Sequence, residues 1–487
     1  MFPKPVTLAH IAEELRAMLP NGDVVVKDVH HDSRNVTHGS VFVAIPGDKR
    51  DGHEFVSEAV ERGASALILE RAISSPIPML LVDDSRAALA IAAAVVHGFP
   101  GKAIDLAGVT GTDGKTTVTY MLHRIASMAG CQSGVIGTLG ARVGADELGL
   151  KRTTPEASDI QRLLHRMVDR GVEICSLEVS SHALALHRVD ALRFNVAGFT
   201  NLSQDHLDFH GDMESYFAVK QDLFSPARSR RAVISIDDPW GKRLADTVEI
   251  PLLRVGRSSR ADVRAADIVG DSTGTSFVLS TPQGEAAIRL PLAGLFNVDN
   301  SLVAAGMGLE IGIGFDQVCA GLESLRAVPG RFEIVDGAWP FRVVVDYAHT
   351  PRAVAAAIAE ARSMGKAKVI AVIGAGGDRD VGKRPLIGAA ASAADVVVVT
   401  TDNPRSEDPE DIVDLVASGV AGSCLVVEVD RNTAITKALE MASDEDFVLV
   451  LGKGHEREQE FADEKVVPFN DREAVQQGWR MLTGVAE

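Results

Sequence analysis

Cysteine is scarce in this chain, with four residues (Cys131, Cys175, Cys319 and Cys424) scattered along 487 positions. None of their spacings suits a metal–thiolate site or a disulfide framework. Reduced, structural thiols in a cytoplasmic protein are therefore expected. Long apolar runs are missing too. The longest, such as residues 394–399, fall far short of a membrane span. Residues 1–20 mix charges with apolar side chains and carry no secretory h-region. Basic residues are in the minority: 49 Lys and Arg against 67 Asp and Glu, a formal net charge of −18. That balance argues against a general binder of nucleic acid or membrane surfaces. It leaves room for an anionic small molecule gripped by local basic groups. The remaining composition, 46% hydrophobic and 24% charged, is that of an ordinary globular protein. The length exceeds what one core fills, so two to four domains are expected.

The most informative stretch is Gly108-Val109-Thr110-Gly111-Thr112-Asp113-Gly114-Lys115-Thr116-Thr117. An apolar run at 104–109 reads as a strand before it, and helical periodicity at 118–129 follows. Strand, Gly-rich turn and helix together make a phosphate loop credible. Gly111 and Gly114 permit the tight turn that aims successive N–H groups into one hollow, and the helix adds its positive end. Lys115 supplies a mobile charge for terminal phosphates, and the Thr116 hydroxyl can hold Mg²⁺. The spacing departs from the common pattern, since Val109 stands where Gly is usual. The loop predicts ATP or GTP binding without saying what the nucleotide is used for.

Residues 1–98 read as a first unit. Helices are expected at 11–18, 54–62 and 85–97, strands at 24–29, 39–44, 66–69 and 78–82, and a linker at 98–101. Ser33, Arg34 and the polar loop 49–53 offer groups for an anion, although solvated turns explain them when read alone. From 99 to 329 strands (134–136, 173–179, 195–199, 232–236) alternate with helices (158–169, 213–224). This predicts a mostly parallel sheet whose ligands gather at its carboxyl edge. Two polar motifs close strands there: Glu178-Val179-Ser180-Ser181-His182, and residues 200–211 with Asp205 and His206. A carboxylate, an imidazole and a Thr hydroxyl at one edge suit Mg²⁺, with the imidazole the less typical ligand. Zinc is disfavoured because no closed ligand set is visible. Thr153-Thr154-Pro155-Glu156 reads as a helix cap, and Lys220 as a surface lysine lying along apolar neighbours. Residues 260–291 predict a small antiparallel patch, and residues 296–309 a helix.

From 330 to 487 a second open α/β sheet is expected, with strands at 342–345, 369–373, 396–400, 425–429 and 447–451. Its strand ends carry Asp346-Tyr347-Ala348-His349, Asp378-Arg379-Asp380, Asp402-Asn403-Pro404-Arg405 and Gly452-Lys453-Gly454-His455-Glu456. Two arginines with Asn and Glu suit a zwitterion, whose carboxylates meet guanidinium forks and whose ammonium meets the acid. The G-x-G-x-x-G pattern is broken at 374–379, which disfavours a dinucleotide redox enzyme.

Taken together, the residues from Thr110 to Thr117, Glu178 to His182, Asn201 to His210, Phe296-Asn297-Val298, Gly330-Arg331 and Asp346 to Pro351 resemble the Mur ligase family along essentially the whole chain. The resemblance implies an α/β fold of three domains. These are a small N-terminal α/β substrate domain (1–98), a central P-loop-type, mostly parallel ATPase domain (99–329) and a C-terminal Rossmann-like α/β domain (330–487). Asp402 to Arg405 is similar to the pattern of members that add meso-diaminopimelate to UDP-N-acetylmuramoyl-L-alanyl-D-glutamate through an acyl phosphate. Arg405 suits the distal carboxylate that distinguishes diaminopimelate from lysine.

The roles implied are these. Lys115, Glu178, His206, Lys220 and Asp346 are catalytic. Gly111, Thr112, Asp113, Gly114, Lys115, Thr116, Thr117, Asn297 and Arg331 bind ATP. Thr116, Glu178, His206 and a carbamylated Lys220 hold two Mg²⁺. Ser33, Thr153, Thr154, Ser180 and Arg188 meet the UDP-muramoyl dipeptide. Arg379, Asp402, Asn403, Pro404, Arg405, Gly452 and Glu456 hold diaminopimelate. Leu186 and Ser235 depart from residues that some relatives carry. The implied enzyme is a cytoplasmic monomer of peptidoglycan synthesis, without nucleic-acid or membrane partners. A folylpolyglutamate-synthase-like ligase and a regulatory ATPase remain as alternatives.

Overall fold

Each stretch rich in short β-branched strands builds a sheet of its own. In the computed structural model, which describes residues 5–18, 22–47, 50–143, 146–150, 152–271, 273–365 and 367–484, three main sheets follow one another along the chain. Lys49 of the polar N-terminal loop lies outside the described residues.

The first sheet is four-stranded and parallel, with Asp28–His30, Ser40–Val43, Ala64–Leu69 and Met79–Leu81 in sequential order. Ser40–Val43 is buried throughout, as expected for a strand covered on both faces. The expected strand at 24–29 shrinks to Asp28–His30, with Val25 making a single bridge to Thr7. The first helix runs Leu8–Leu15 rather than 11–18: Thr7 caps its start, and Arg16 adopts a left-handed conformation at its end. The helix Ser85–Val96 begins at Asp84, whose carboxylate accepts from the Arg86 and Ala87 N–H groups.

The second sheet has eleven strands. Asp105–Thr110 lies at its middle, flanked in parallel by Ile174–Glu178 and Val196–Phe199. Register places Val109 beside Glu178 and Thr110 beside Phe199. The phosphate-loop strand and both polar motifs therefore end at one edge. The helices Lys115–Met128 and Leu295–Ile311 share the apolar core on one face, while Ala157–Asp169 and Met213–Gln221 contribute to the core on the other. The expected antiparallel patch exists as Val263–Asp271, Gly274–Thr281 and Gly284–Leu290. It is not separate, because Val263–Asp271 pairs in parallel with Leu252–Gly256 and so continues the main sheet.

The third sheet sets Glu333–Val335 antiparallel to Arg342–Asp346 and then continues in parallel through Phe447–Leu451, Val369–Ile373, Val396–Val399 and Cys424–Val427. A separate hairpin, Glu458–Glu460 with Val466–Pro468, follows. No helix of the described residues is long and apolar enough to cross a membrane.

Candidate active site

The carboxyl edges of the second and third sheets face each other across a cleft of about 1090 Å³, and Arg86 of the first unit reaches its rim. The phosphate loop forms its floor. Gly111 (φ +143°) and Gly114 (φ +88°) occupy backbone space that strains any other residue. A Cβ on Gly111 would lie 1.9 Å from Thr200 Oγ1, and one on Gly114 2.1 Å from Asn300 Oδ1. The loop is pinned to the neighbouring strand end: the Thr200 hydroxyl donates to Asp113 O (2.6 Å), and the Asn201 amide meets both the N–H and the C=O of Asp113 (3.1 Å each). Lys115 Nζ donates to the Gly111 and Thr112 carbonyls at 2.9 and 2.8 Å. Burial lowers its pKa, an effect that Glu178, Asp113 and Asp205 partly offset.

Glu178 closes its strand against this loop. Its carboxylate accepts from Thr116 Oγ1 (3.1 Å), the Thr138 N–H (2.9 Å) and the Thr138 hydroxyl (3.0 Å). Arg331, from the third unit, donates to the same Thr116 oxygen at 3.1 Å and stacks on Tyr347. Asp346 accepts from the Phe332 and Ala348 N–H groups. Burial raises its pKa, against the pull of Arg331 and those two N–H groups.

Lys220 overturns its reading as a surface lysine. It is 1% exposed, with Nζ donating to Gly111 O at 2.9 Å and lying over the Tyr216 ring. Burial, reinforced by the charge of Lys115, drives its pKa well below the ordinary lysine range. Its amine thus sits directly behind the phosphate loop with strong pressure to be neutral.

His206 holds a left-handed backbone (φ 55°) and lies edge-on to His182, with Nε2 3.2 Å from Asp205. Burial lowers its pKa to about 3 even though Asp205 pulls the other way. Burial alone would raise Asp205. Lys383 at 2.9 Å, His349 and His206 instead hold it well below the carboxylate range. Lys383 and His349 belong to the third unit, so Asp205 is a joint between the two sheets.

On one flank, Thr154 Oγ1 donates to Glu178 O (2.7 Å) and accepts from the Ser180 N–H. Arg188, nearly buried, pairs with Glu156 at 2.9 Å and donates to Thr154 O at 3.1 Å. Residues 153–156 thus form a wall of the cleft rather than the expected side-chain cap, since the helix Ala157–Asp169 starts after Glu156 with no side-chain cap bond. On the opposite flank, Asn403 Nδ2 donates to Glu456 Oε2 (2.9 Å). Arg405, also left-handed (φ 53°), donates through Nε to Glu460 Oε2 (2.7 Å) and through Nη1 to Gly377 O (2.8 Å). Arg379 lines the same end.

Family models match three consecutive segments: "Mur ligase family, catalytic domain" at residues 25–98, "Mur ligase middle domain" at 109–308 and "Mur ligase, glutamate ligase domain" at 330–454. A UDP-N-acetylmuramoyl-L-alanyl-D-glutamate--2,6-diaminopimelate ligase of Geobacillus thermodenitrificans is 44% identical over 462 residues, covering 93% of this chain and 94% of its own length. The Streptomyces coelicolor protein of that description is 41% identical over 503 residues, covering 99% of both. The chain belongs to the Mur ligase family. Among solved structures, a 2,6-diaminopimelate ligase of the same description aligns with 98% of the chain and 99% of its own at TM-score 0.68 and 29% identity. MurF ligase from Thermotoga maritima, at 21% identity and TM-score 0.67, shares the fold.

In this Mur ligase the structure gathers most of the site expected from sequence. Residues 112–117, Thr153, Thr154, Glu178, Ser180, Arg188, His206, Asn297, Arg331 and Asp346 line the cleft, as do Arg379, Asp402, Asn403, Arg405, Gly452 and Glu456. Gly111 belongs to the loop and Lys220 lies just behind it, neither lining the cleft. Pro404 is not among the lining residues. Ser33 stands apart: it is buried and donates to Glu58 Oε2 at 2.8 Å, away from the cleft walls. Sequence reasoning missed Lys383, Asp205 as a joint, and Lys453. Lys453 is completely buried, with Nζ 2.8 Å from Asn403 Oδ1, 2.9 Å from Glu456 Oε2 and 3.4 Å from Asp402 Oδ1. The Gly-Lys-Gly-His-Glu motif was visible, but a lysine in a loop carries no sign of burial.

Proposed function

We propose that this Mur ligase joins meso-diaminopimelate to UDP-N-acetylmuramoyl-L-alanyl-D-glutamate with cleavage of ATP to ADP and phosphate, in the cytoplasm and as a monomer. The single observation that carries the reading is one cleft holding a phosphate loop at its floor and the Asn403–Glu456–Arg405 pocket at its far end. In the domain division proposed, residues 1–98 receive the UDP-muramoyl part, 99–329 the ATP and 330–487 the incoming amino acid.

The glutamate carboxylate attacks the γ-phosphorus of ATP, giving an acyl phosphate and ADP. The amino-acid amine then attacks the acyl carbon and loses a proton, the amide forms, and inorganic phosphate leaves. Lys115 and Arg331 supply positive charge where phosphate oxygens gather. Asn297 and Asp346 belong to the nucleotide end. Thr153, Thr154, Ser180 and Arg188 face the muramoyl dipeptide, with Ser33 assigned to the uridine side. Arg379, Asp402, Asn403, Pro404, Arg405, Gly452 and Glu456 form the diaminopimelate end.

The oxygen donors of Thr116 and Glu178, 3.1 Å apart beside the phosphate loop, fit Mg²⁺. No group of three His, Cys, Asp or Glu among the described residues forms a complete cage, consistent with an ion that relies on substrate phosphates. When bound, Mg²⁺ neutralises charge on the transferring phosphoryl group. His206 and a carbamylated Lys220 are assigned to a second ion. The depressed pKa of Lys220 supports this, because only a neutral amine adds to CO₂.

The test is phosphate release with ATP and UDP-MurNAc-L-Ala-D-Glu, comparing meso-diaminopimelate with L-lysine. Release with diaminopimelate alone is expected. Release with lysine would keep the ligase but remove the role of Arg405. Release with neither would refute the reading.

A further inference from the structure

The amino-acid end of the cleft contains a buried charge that no step above uses. Lys453 meets three oxygens from two segments: Asn403 Oδ1 (2.8 Å), Glu456 Oε2 (2.9 Å) and Asp402 Oδ1 (3.4 Å). Asn403 Oδ1 also accepts the Glu460 N–H at 3.1 Å. With two donors on its oxygen, the Asn403 amide has one orientation, and its Nδ2 points to Glu456 Oε2 at 2.9 Å. Glu456 Oε2 in turn receives both Lys453 and Asn403. Its partner oxygen, Oε1, has no protein donor among the described residues, and Glu456 lines the cleft.

We propose that Lys453 is the positioning residue of the amino-acid pocket: it locks the Asn403 amide and the Glu456 carboxylate so that Oε1 of Glu456 is presented to the ammonium group of the incoming amino acid. This rests on the ligase reading above. The chemistry follows from charge count. Asp402 and Glu456 share one buried ammonium, Lys453 Nζ at 3.4 and 2.9 Å, while the buried Arg431 guanidinium, which also acts on both, is bound directly to Asp471. Remove Lys453, and the two carboxylates lose the charge between them, Asn403 Oδ1 keeps only the Glu460 N–H, and Glu456 Oε2 is held by the Asn403 amide alone. The pocket then loses its complementarity to an ammonium, while the phosphate loop, across the cleft, keeps its own bonds.

The experiment is steady-state kinetics of the full chain, wild type, Lys453→Met and Lys453→Arg, with the KM of each of three substrates measured separately and folding followed by circular dichroism. Met keeps the apolar stem and deletes the charge. The expected result is a KM for diaminopimelate raised roughly tenfold to a hundredfold, with the KM values for ATP and the UDP-linked substrate within twofold. Arg keeps the charge and is expected to recover part of the loss. Should the Met variant fail to fold, Lys453→Arg carries the test, with a diaminopimelate KM raised about fivefold and the other two unchanged. An unchanged diaminopimelate KM, or equal changes in all three constants, overturns the proposal. Absence of turnover by the wild type with diaminopimelate overturns the ligase reading and the proposal with it, whereas normal wild-type turnover beside an unaffected variant overturns the proposal alone.

Discussion

At the scale of single residues, the cleft is built from side chains whose ordinary behaviour is suppressed. Three lysines, Lys220, Lys383 and Lys453, are buried where lysine is normally exposed. Two non-glycine residues, His206 and Arg405, are held in left-handed backbone, a conformation that concentrates at functional sites. Arg405 shows how such a residue is used. Glu460 takes its Nε and Gly377 O one hydrogen of Nη1, so the Nη1–Nη2 edge remains for a carboxylate. Arg405→Ala is expected to cost about 2 kcal/mol of diaminopimelate binding, a roughly thirtyfold rise in KM, with ATP affinity unchanged. Isothermal titration of both ligands checks it, and an unaltered diaminopimelate affinity would remove Arg405 from the pocket. Gly114→Ala tests the opposite flank. The new Cβ meets Asn300 Oδ1 in a backbone conformation that resists a side chain. Loss of ATP binding is expected, and an alanine variant that binds ATP normally would contradict the tight-turn account of the loop.

At the scale of elements, legibility followed periodicity. Val369–Ile373 and Phe447–Leu451 stood out at their true boundaries because five consecutive apolar residues, after a charged residue and before a glycine, mark a strand buried on both faces. The hairpin strand Glu458–Glu460, which reads Glu-Gln-Glu, and the edge strand Asp146–Leu148 carry no such pattern. They exist because a neighbouring backbone offers pairing. That hairpin matters to the site, since Gln459 Nε2 donates to Thr401 Oγ1 and Asp402 O, and Glu460 clamps Arg405. The motifs at the strand ends were legible as chemistry, but their partners across 50 or more positions were not, and Asn403–Glu456 is one such pair. The helix Lys115–Met128 carries a testable element-level property in His123, which is bonded to Ser133 Oγ at 2.8 Å. Burial, aided by Arg142 and Arg124, lowers its pKa to about 4. The unfolded imidazole protonates near 6.5, so between pH 6.5 and 4 the unfolded chain binds the extra proton, and stability falls as pH drops through that window. His123→Gln is expected to flatten this slope by on the order of 1 kcal/mol at pH 5. Chemical denaturation at pH 7.5 and pH 5 measures it, and parallel slopes for variant and wild type would refute the assignment.

At the scale of the whole molecule, the central and C-terminal units meet through a small apolar contact, Ala293 and Phe296 against Phe332, and several polar joints. Lys383 pairs with Asp205 at 2.9 Å, both nearly buried, Arg352 with Asp238 at 3.0 Å, and Arg331 reaches Thr116 at 3.1 Å. An acyl phosphate must be kept from water, and joints of this kind let a cleft close over substrates and reopen for product. The Asp205 joint is the most buried of the ion pairs. Within one rigid domain, removing Lys383 would leave an uncompensated buried carboxylate at a cost of about 3–5 kcal/mol. Between two sheets whose cores join only at Ala293 and Phe296, the molecule has a cheaper response, which is to rotate the C-terminal unit away and hydrate Asp205. Lys383→Met is therefore expected to leave the thermal unfolding of the units close to wild type, to increase the radius of gyration in small-angle scattering, and to lower kcat more than tenfold. High salt is expected to open the wild type less than the substitution does, because a buried pair is poorly screened. If scattering and kcat both match the wild type, Asp205–Lys383 is a passive contact, and closure must depend on Arg331 and Arg352 instead.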